Sequence, residues 1–253
     1  MSAVKAAPLD PLALAGRFEA AAVRSGFRRE AFGEVGGAPL FALTRRTPGP
    51  RSRIYLSAGI HGDEPAPPLA LLSLVESGEF DGRATWFICP MLNPQGLARA
   101  SRENAAGVDL NRDYRHFASP EVRAHARWLR RQPNFDLTLC AHEDWEAKGF
   151  YLYELNLGGG RSLASAMIEA ARGVCPIDES PTIDGREARG GVITPPGDPA
   201  AREKWPESIY LIANHTRHSY TIESPSALPL ETRIAALRAA LCAALAGATQ
   251  GGA

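Results

Sequence analysis

The sequence predicts an α/β fold: a single domain over residues 1–253, with a mostly parallel mixed sheet flanked by helices on both faces. Three observations predict it. Short apolar, β-branched runs alternate with segments of helical period, the pattern of strands joined by crossover helices. No repeat and no linker of shifted composition divides the chain. Three of the strand-like runs end in His61, His142 or Glu223, and open parallel sheets build their sites outside the carboxyl ends of strands.

From Leu12 to Ser25 the apolar spacing is helical, with Pro11 near the start and Gly26 at the end. Pro39–Thr44 and Ile54–Ala58 read as strands, joined by the turn-rich Thr47-Pro48-Gly49-Pro50. A helix from about Pro67 to Glu76 stops at Gly78, and Ala84–Pro90 (ATWFICP) is a buried strand. The stretch 91–117 has little periodicity, and a long irregular loop in a compact domain usually carries function. Pro120 opens an amphipathic helix over Glu121–Arg131, and Phe135–Ala141 (FDLTLCA) is the next core strand. Phe150–Leu155 reads as a strand, Leu163–Arg172 as a helix, Ser219–Ile222 as a strand and Leu230–Leu245 as a closing alanine-rich helix. Residues 174–207, rich in Pro, Gly and charge, give no assignment, and neither 143–153 nor 180–210 has a role that can be read.

A chain of 253 residues buries a full core, and 45% apolar with 22% charged residues is ordinary for a globular protein. Lys+Arg and Asp+Glu are both 28, so a basic footprint for nucleic acid is missing; the arginine clusters at 28–29, 45–46 and 127–131 read as solvated faces. Cys89, Cys140, Cys175 and Cys242 show no C-x-x-C spacing and are expected to be reduced thiols, as in a cytoplasm. The N-terminal stretch, broken by Pro8, Asp10 and Pro11, is a poor secretory signal, and no run is expected to span a bilayer. Nothing in the sequence sets an oligomeric state.

The stretch RIYLSAGIHGDE, residues 53–64, reads as a buried strand that delivers His61 and Glu64 to a corner. Pro65, Pro67 and Pro68 follow, and a proline disfavours helix for the residue before it, so Glu64 belongs to the turn. A catalytic zinc takes three protein ligands and keeps a fourth position for water. His142, ending TLCAH, is the third candidate, although a histidine at a strand end also serves simply to bond a neighbouring loop. In Asp109-Leu110-Asn111-Arg112 the arginine fork and the asparagine amide suit a carboxylate, and Arg102 lies in the same loop. Surface arginines that hold a loop down by its carbonyls have the same spacing. Glu223, before Ser224 and Pro225, projects as a general base or is merely solvated.

HGDE at 61–64, the N-P-Q-G to V-D-L-N-R series at 93–112, a strand ending in His142 and one ending in Glu223 together resemble the zinc carboxypeptidase (funnelin) family over roughly residues 50–225. The chain looks most like its compact bacterial branch, which includes the murein-tripeptide amidases. The resemblance implies one zinc ion per chain on His61, Glu64 and His142. It gives Glu223 the role of general base and then proton donor, and Arg102 that of polarising the scissile carbonyl. Asn111 and Arg112 would grip a terminal carboxylate, Asp109 would orient the first zinc histidine, and Tyr210 resembles the family's mobile tyrosine at a shortened spacing to Glu223. The implied activity is removal of a residue from the carboxyl end of a short peptide, such as a cell-wall peptide.

The aspartoacylase and succinylglutamate desuccinylase type shares H-x-x-E and D-L-N-R, so the same residues would cleave an acyl group from an N-acyl amino acid with a free carboxylate. The N-P-Q-G loop and the length of 143–210 lean towards the peptidase. A dead binding module would lack Glu223 or a ligand, and all are present. The terminal side chain would be read by residues 180–220, where Arg186, Arg189 and Lys204 either favour an acidic partner or are solvated loop charges.

Overall fold

Residues 7–195, 198 and 201–249 are described by a computed structural model. The first six residues of the stretch read against a secretory signal lie outside them, as do 196–197 and 199–200 within the unassigned 174–207.

The centre of the molecule is a sheet of β1 (Arg28–Val35), β2 (Ala38–Arg45), β3 (Arg53–Ser57), β4 (Thr85–Cys89), β5 (Leu137–Asp144), β6 (Tyr151–Asn156), β9 (Val192–Ile193) and β10 (His218–Pro225), with β7 (Thr182–Ile183) and β8 (Arg186–Glu187) paired apart from it. The order is β1-β2-β4-β3-β5-β10-β6-β9. β4, β3, β5 and β10 run parallel, β1 and β2 are antiparallel to their neighbours, and β6 is antiparallel to β10 and parallel to β9. β3, β4 and β5 are apolar runs buried along nearly their whole length, because helices cover both faces.

One face carries α1 (Pro11–Arg24), α2 (Ala66–Glu76), α5 (Ala164–Arg172) and α7 (Leu230–Thr249), whose Phe18, Leu71, Met167 and Leu237 join Leu56, Ile88 and Leu139 in the larger core. The other carries α4 (Pro120–Leu129) and α6 (Glu207–Asn214), where Val122, Trp128 and Leu211 pack on Tyr55, Phe87 and Cys140. The short α3 (Pro94–Leu97) sits inside the long loop, capped by Asn93, whose side chain accepts from Gly96 N–H.

Several boundaries differ from expectation for physical reasons. β1 escapes the sequence pattern because Arg28, Arg29 and Glu30 line a sheet edge where charge is tolerated. α6 lies in a stretch with no clear period, its start marked only by Pro206. β5 and β10 run past their expected ends, so His142 and Glu223 lie within strands. α7 is, by length and composition alone, apolar enough to cross a membrane, contrary to the expectation that no run is; it packs Ala236, Leu237, Ala240 and Leu241 into the core. All four cysteines are free.

Candidate active site

Chain direction along the sheet fixes where a site can form. From β3 the chain moves outward to β4 and then returns to β5 on the other side of β3, so the sheet order reverses between β3 and β5. At such a switch point the loops leaving adjacent strands diverge and open a crevice. His61 and Glu64 leave β3 there, and His142 lies near the end of β5.

The corner at 61–64 is held by its glycine. A Cβ at Gly62 would stand 1.9 Å from the carbonyl carbon of Gly96, so the HGDE turn and the N-P-Q-G turn touch backbone to backbone. Gly62 N–H bonds the Ser101 carbonyl at 3.0 Å. The prolines after Glu64 start α2 as expected, leaving Glu64 in the turn.

His61, Glu64 and His142 are buried, and one ligand atom from each lies within 4.8 Å of the others. His61 Nδ1 is 2.5 Å from Glu64 Oε1, and His142 Nδ1 is 3.0 Å from Oε2, which also accepts the Glu143 N–H at 3.1 Å. His61 Nε2 stands 3.3 Å from Asp109 Oδ1. His61 Nε2 makes no hydrogen bond of good geometry among the described residues, and with its proton there the ring turns an Nδ1 lone pair on a carboxylate oxygen. Two lone pairs face one another at that distance only with a proton or a cation between them.

The charges say the same. Burial works against ionisation of Glu64, yet His61 and His142 hold its carboxyl well below the usual range. Burial also works against a charged His61, and the Glu64 carboxylate with Asp109 overrides it, raising the imidazole to about 9. Two imidazoles and a carboxylate whose ionised form they favour, converging in a buried spot, are a donor set that suits zinc. Asp109 Oδ1, 3.3 Å from His61 Nε2, stands where a carboxylate partner of a metal-bound histidine would.

A cavity of about 720 Å³ opens beside these three residues and is also lined by Arg102, Asn111, Arg112, Tyr151, Arg202 and Glu223. Arg102 Nε bonds Asp109 Oδ2 at 3.0 Å, and its Nη1 is 3.7 Å from Glu64 Oε1. Asn111 Oδ1 accepts the Glu207 N–H at 2.9 Å, which leaves the amide nitrogen for another partner. Arg112 Nη1 bonds the Asn111 carbonyl at 2.8 Å. Glu223 pairs in register with His142, and among the described residues its carboxylate accepts no hydrogen bond. Burial raises its carboxyl to about 8; His142 opposes the rise, while Glu64 and Asp144 add to it.

Eight of the residues singled out in the sequence thus share one cavity or its wall: His61, Glu64, Arg102, Asp109, Asn111, Arg112, His142 and Glu223. Tyr210 does not reach it. Its ring is buried against Tyr114, Phe117 and His215 at 5.6, 5.7 and 5.6 Å, because α6 turns that side chain to the opposite core. The tyrosines that do line the cavity are Tyr151 and Tyr153, which sit in register opposite Glu223 and Thr221. Their two-residue spacing on a strand was the signal for a shared face. Tyr151 donates to Asp144 at 2.9 Å, and Tyr153 donates to Asp184. Of the basic residues expected at the substrate end, Arg186 and Lys204 line the cavity, whereas Arg189 bonds Glu187 at 2.9 Å and lies away from it. Arg202 lines it too, and no sequence pattern singled it out.

Residues 50–137 match the succinylglutamate desuccinylase/aspartoacylase catalytic domain. No curated protein matches the chain. Among solved structures, a protein of Shewanella amazonensis SB2B assigned as a metallopeptidase superposes with a TM-score of 0.80 at 26% identity, over 92% of this chain and 91% of that one. A metallo-carboxypeptidase from Burkholderia cenocepacia gives 0.69 at 23%, over 94% and 69%. One from Pseudomonas aeruginosa, bound to (2-guanidinoethylmercapto)succinic acid, gives 0.70 at 21%, over 96% and 70%. The fold is that of the metallo-carboxypeptidases, and the chain is similar to metal-dependent hydrolases in both fold and sequence.

Proposed function

On a chain of zinc carboxypeptidase-like fold, we propose a zinc-dependent metallocarboxypeptidase that hydrolyses the C-terminal amide bond of a short peptide. The observation that carries this reading is the meeting of His61, Glu64 and His142 with Glu223 and the Asn111–Arg112 pair around one cavity.

His61, Glu64 and His142 would hold the zinc, with Asp109 fixing the His61 ring. When bound, zinc supplies Lewis-acid activation, which brings the pKa of water to about 7 in favourable cases. The remaining work falls to the protein's own side chains. Glu223 takes a proton from the attacking water at its free carboxylate and returns it to the leaving nitrogen. Arg102 faces the carbonyl oxygen and bears part of the charge it gains. The Asn111 amide nitrogen and the Arg112 guanidinium grip the terminal carboxylate and so place the scissile bond at Glu223.

Glu223→Gln tests the assignment: zinc and ligand binding are retained while turnover falls about a thousandfold, the size expected for loss of a general base. A variant that turns over normally removes Glu223 from the mechanism. The second reading, an N-acyl amino acid deacylase, is favoured by the match over residues 50–137. Zinc-loaded protein assayed against cell-wall tripeptides, ordinary dipeptides and N-acyl amino acids separates the two by which amide is cut.

A further inference from the structure

Glu207 opens α6 just behind the cavity wall. Pro206 and Ser208 on either side of it line the cavity, while Glu207 itself is 1% exposed and has no task in the mechanism above. Its Oε1 accepts the Tyr55 hydroxyl at 2.6 Å and its Oε2 accepts the Ser57 hydroxyl at 2.8 Å, with the Cys140 thiol against the same carboxylate. Ser57 and Cys140 pair in register across β3 and β5, the two strands whose chains run on to His61 and His142. One end of Glu207 is thus fastened to the strands that bring the candidate metal ligands.

The other end meets the substrate side. A helix begins with N–H groups that have no partner inside it, and Pro206 gives α6 no side-chain cap. The Glu207 N–H finds its acceptor in Asn111 Oδ1 at 2.9 Å, a bond that leaves the Asn111 amide nitrogen for the cavity this residue lines. The Asn111 main chain is held separately, its N–H on Asp109 Oδ1 at 2.9 Å and its carbonyl on Arg112 Nη1 at 2.8 Å, so the bond from Glu207 bears on the side chain.

We propose that Glu207 is a positioning residue, a strut whose length fixes the distance between the ligand-bearing strands and the Asn111 amide, and with it the place where a terminal carboxylate is held relative to the scissile bond. The inference rests on the reading of Asn111 as part of the grip on that carboxylate. Position matters steeply, because a misplacement of about 1 Å can cost a hundredfold in rate. A strut answers to length before charge. Glu207→Asp keeps the carboxylate but shortens the side chain by about 1.5 Å, one carbon–carbon bond, so it reaches Tyr55 and Ser57 only by drawing the start of α6 away from Asn111. Glu207→Gln keeps the length: its oxygen still accepts from Tyr55, and the Ser57 hydroxyl turns to accept from the amide.

The test is a double-mutant cycle with Asn111→Ala on zinc-loaded protein. One readout is kcat/KM on N-acetyl-L-alanyl-L-alanine and on N-acetyl-L-alanine, and the other is calorimetric affinity of the Glu223→Gln protein for N-acetyl-L-alanine. Glu207→Asp is expected to lower both by about tenfold or more, and Glu207→Gln by less than about threefold. In Asn111→Ala the Glu207→Asp loss should shrink below about threefold, because the strut then has nothing to place. A Gln variant as impaired as the Asp variant makes charge the operative property and overturns the proposal. An Asp variant equal to the parent overturns it too, as does one whose loss is the same with and without Asn111. Should Glu207→Asp fail to fold, Ser57→Ala removes one anchor in the same cycle: a loss of affinity confined to the protein that keeps Asn111 supports the strut, and an equal loss in both, or none, sinks it. Failure of the function reading looks different: Asn111→Ala alone then binds N-acetyl-L-alanine as tightly as the parent, and the grip falls together with the strut.

Discussion

His125 lies at the floor of the smaller core, with both ring nitrogens on tyrosine hydroxyls: Nε2 at 2.9 Å from Tyr55 and Nδ1 at 2.7 Å from Tyr114. The Tyr55 hydroxyl spends its proton on Glu207 Oε1 at 2.6 Å, so it accepts from His125, which must carry its proton on Nε2; the Tyr114 hydroxyl then donates to Nδ1. Burial, with a smaller contribution from His215, lowers this imidazole from 6.5 to about 3. The unfolded chain therefore binds the extra proton over that window and the folded one does not. Stability from this group is complete above about pH 6.5 and is lost as pH falls towards 3, at about 1.4 kcal/mol for each pH unit crossed. Nitrogen-15 shifts should show a neutral Nε2–H ring still at pH 5, and denaturant midpoints should fall between pH 7 and 4; a protonated ring at pH 5 contradicts the argument. Gly62 is the other residue with a sharp consequence. Any side chain there meets the Gly96 backbone, so Gly62→Ala should displace the HGDE corner and lower stoichiometric zinc in elemental analysis, as His61→Ala should abolish it.

Among the elements, α7 reaches the site through one ion pair. Arg233 Nη1 bonds Glu143 Oε2 at 2.7 Å, Glu143 Oε1 accepts the Ala66 N–H at 2.9 Å, and the Glu143 N–H bonds Glu64. A helix, a strand and the first turn of α2 are thus tied together next to the candidate ligands. Burial raises the Glu143 carboxyl to about 7; Arg233 works against the rise and Glu64 with it. Arg233→Met leaves that carboxylate buried without its cation, which should cost about 3–5 kcal/mol. At pH 5 Glu143 takes up a proton and the loss should shrink, so urea midpoints of the variant and the parent should converge as pH falls. Adding Glu143→Gln to Arg233→Met should restore much of the stability at pH 8. Nothing in the sequence announces this pair, because its partners are ninety positions apart and each looks like an ordinary charged residue. The buried strands and helices were legible for the opposite reason: β3, β4 and α2 carry unbroken apolar runs between prolines and glycines, a local signal. β1 and α6 were not, since one is a charged edge strand and the other is short and opens without a side-chain cap.

For the whole molecule, the sheet's reversal between β3 and β5 converts two distant motifs into one centre. His61, Glu64 and His142 were singled out because apolar strand-like runs lead into them, although His61 and Glu64 lie in the corner after β3 and His142 within β5; Asn111 and Arg112 were singled out because their motif is contiguous. Tyr210 misled because spacing along the chain says nothing about which side of α6 faces the cavity. The same cross-chain geometry makes a bound ion a brace. A cation shared by the β3 corner and β5 joins segments 78 positions apart, as Glu64 and His142 are, and a ligand that binds only the folded state stabilises by RT ln(1 + [L]/Kd). At free zinc a thousandfold above Kd that is about 4 kcal/mol. In a chain of this length each kcal/mol moves Tm by about 2–4 °C, so stripping the ion with a chelator should lower Tm by about 10 °C and restoring zinc should return it. His142→Ala should melt at one temperature with or without zinc. A zinc-dependent rise in that variant would move the ion to another site and separate the brace from the cavity.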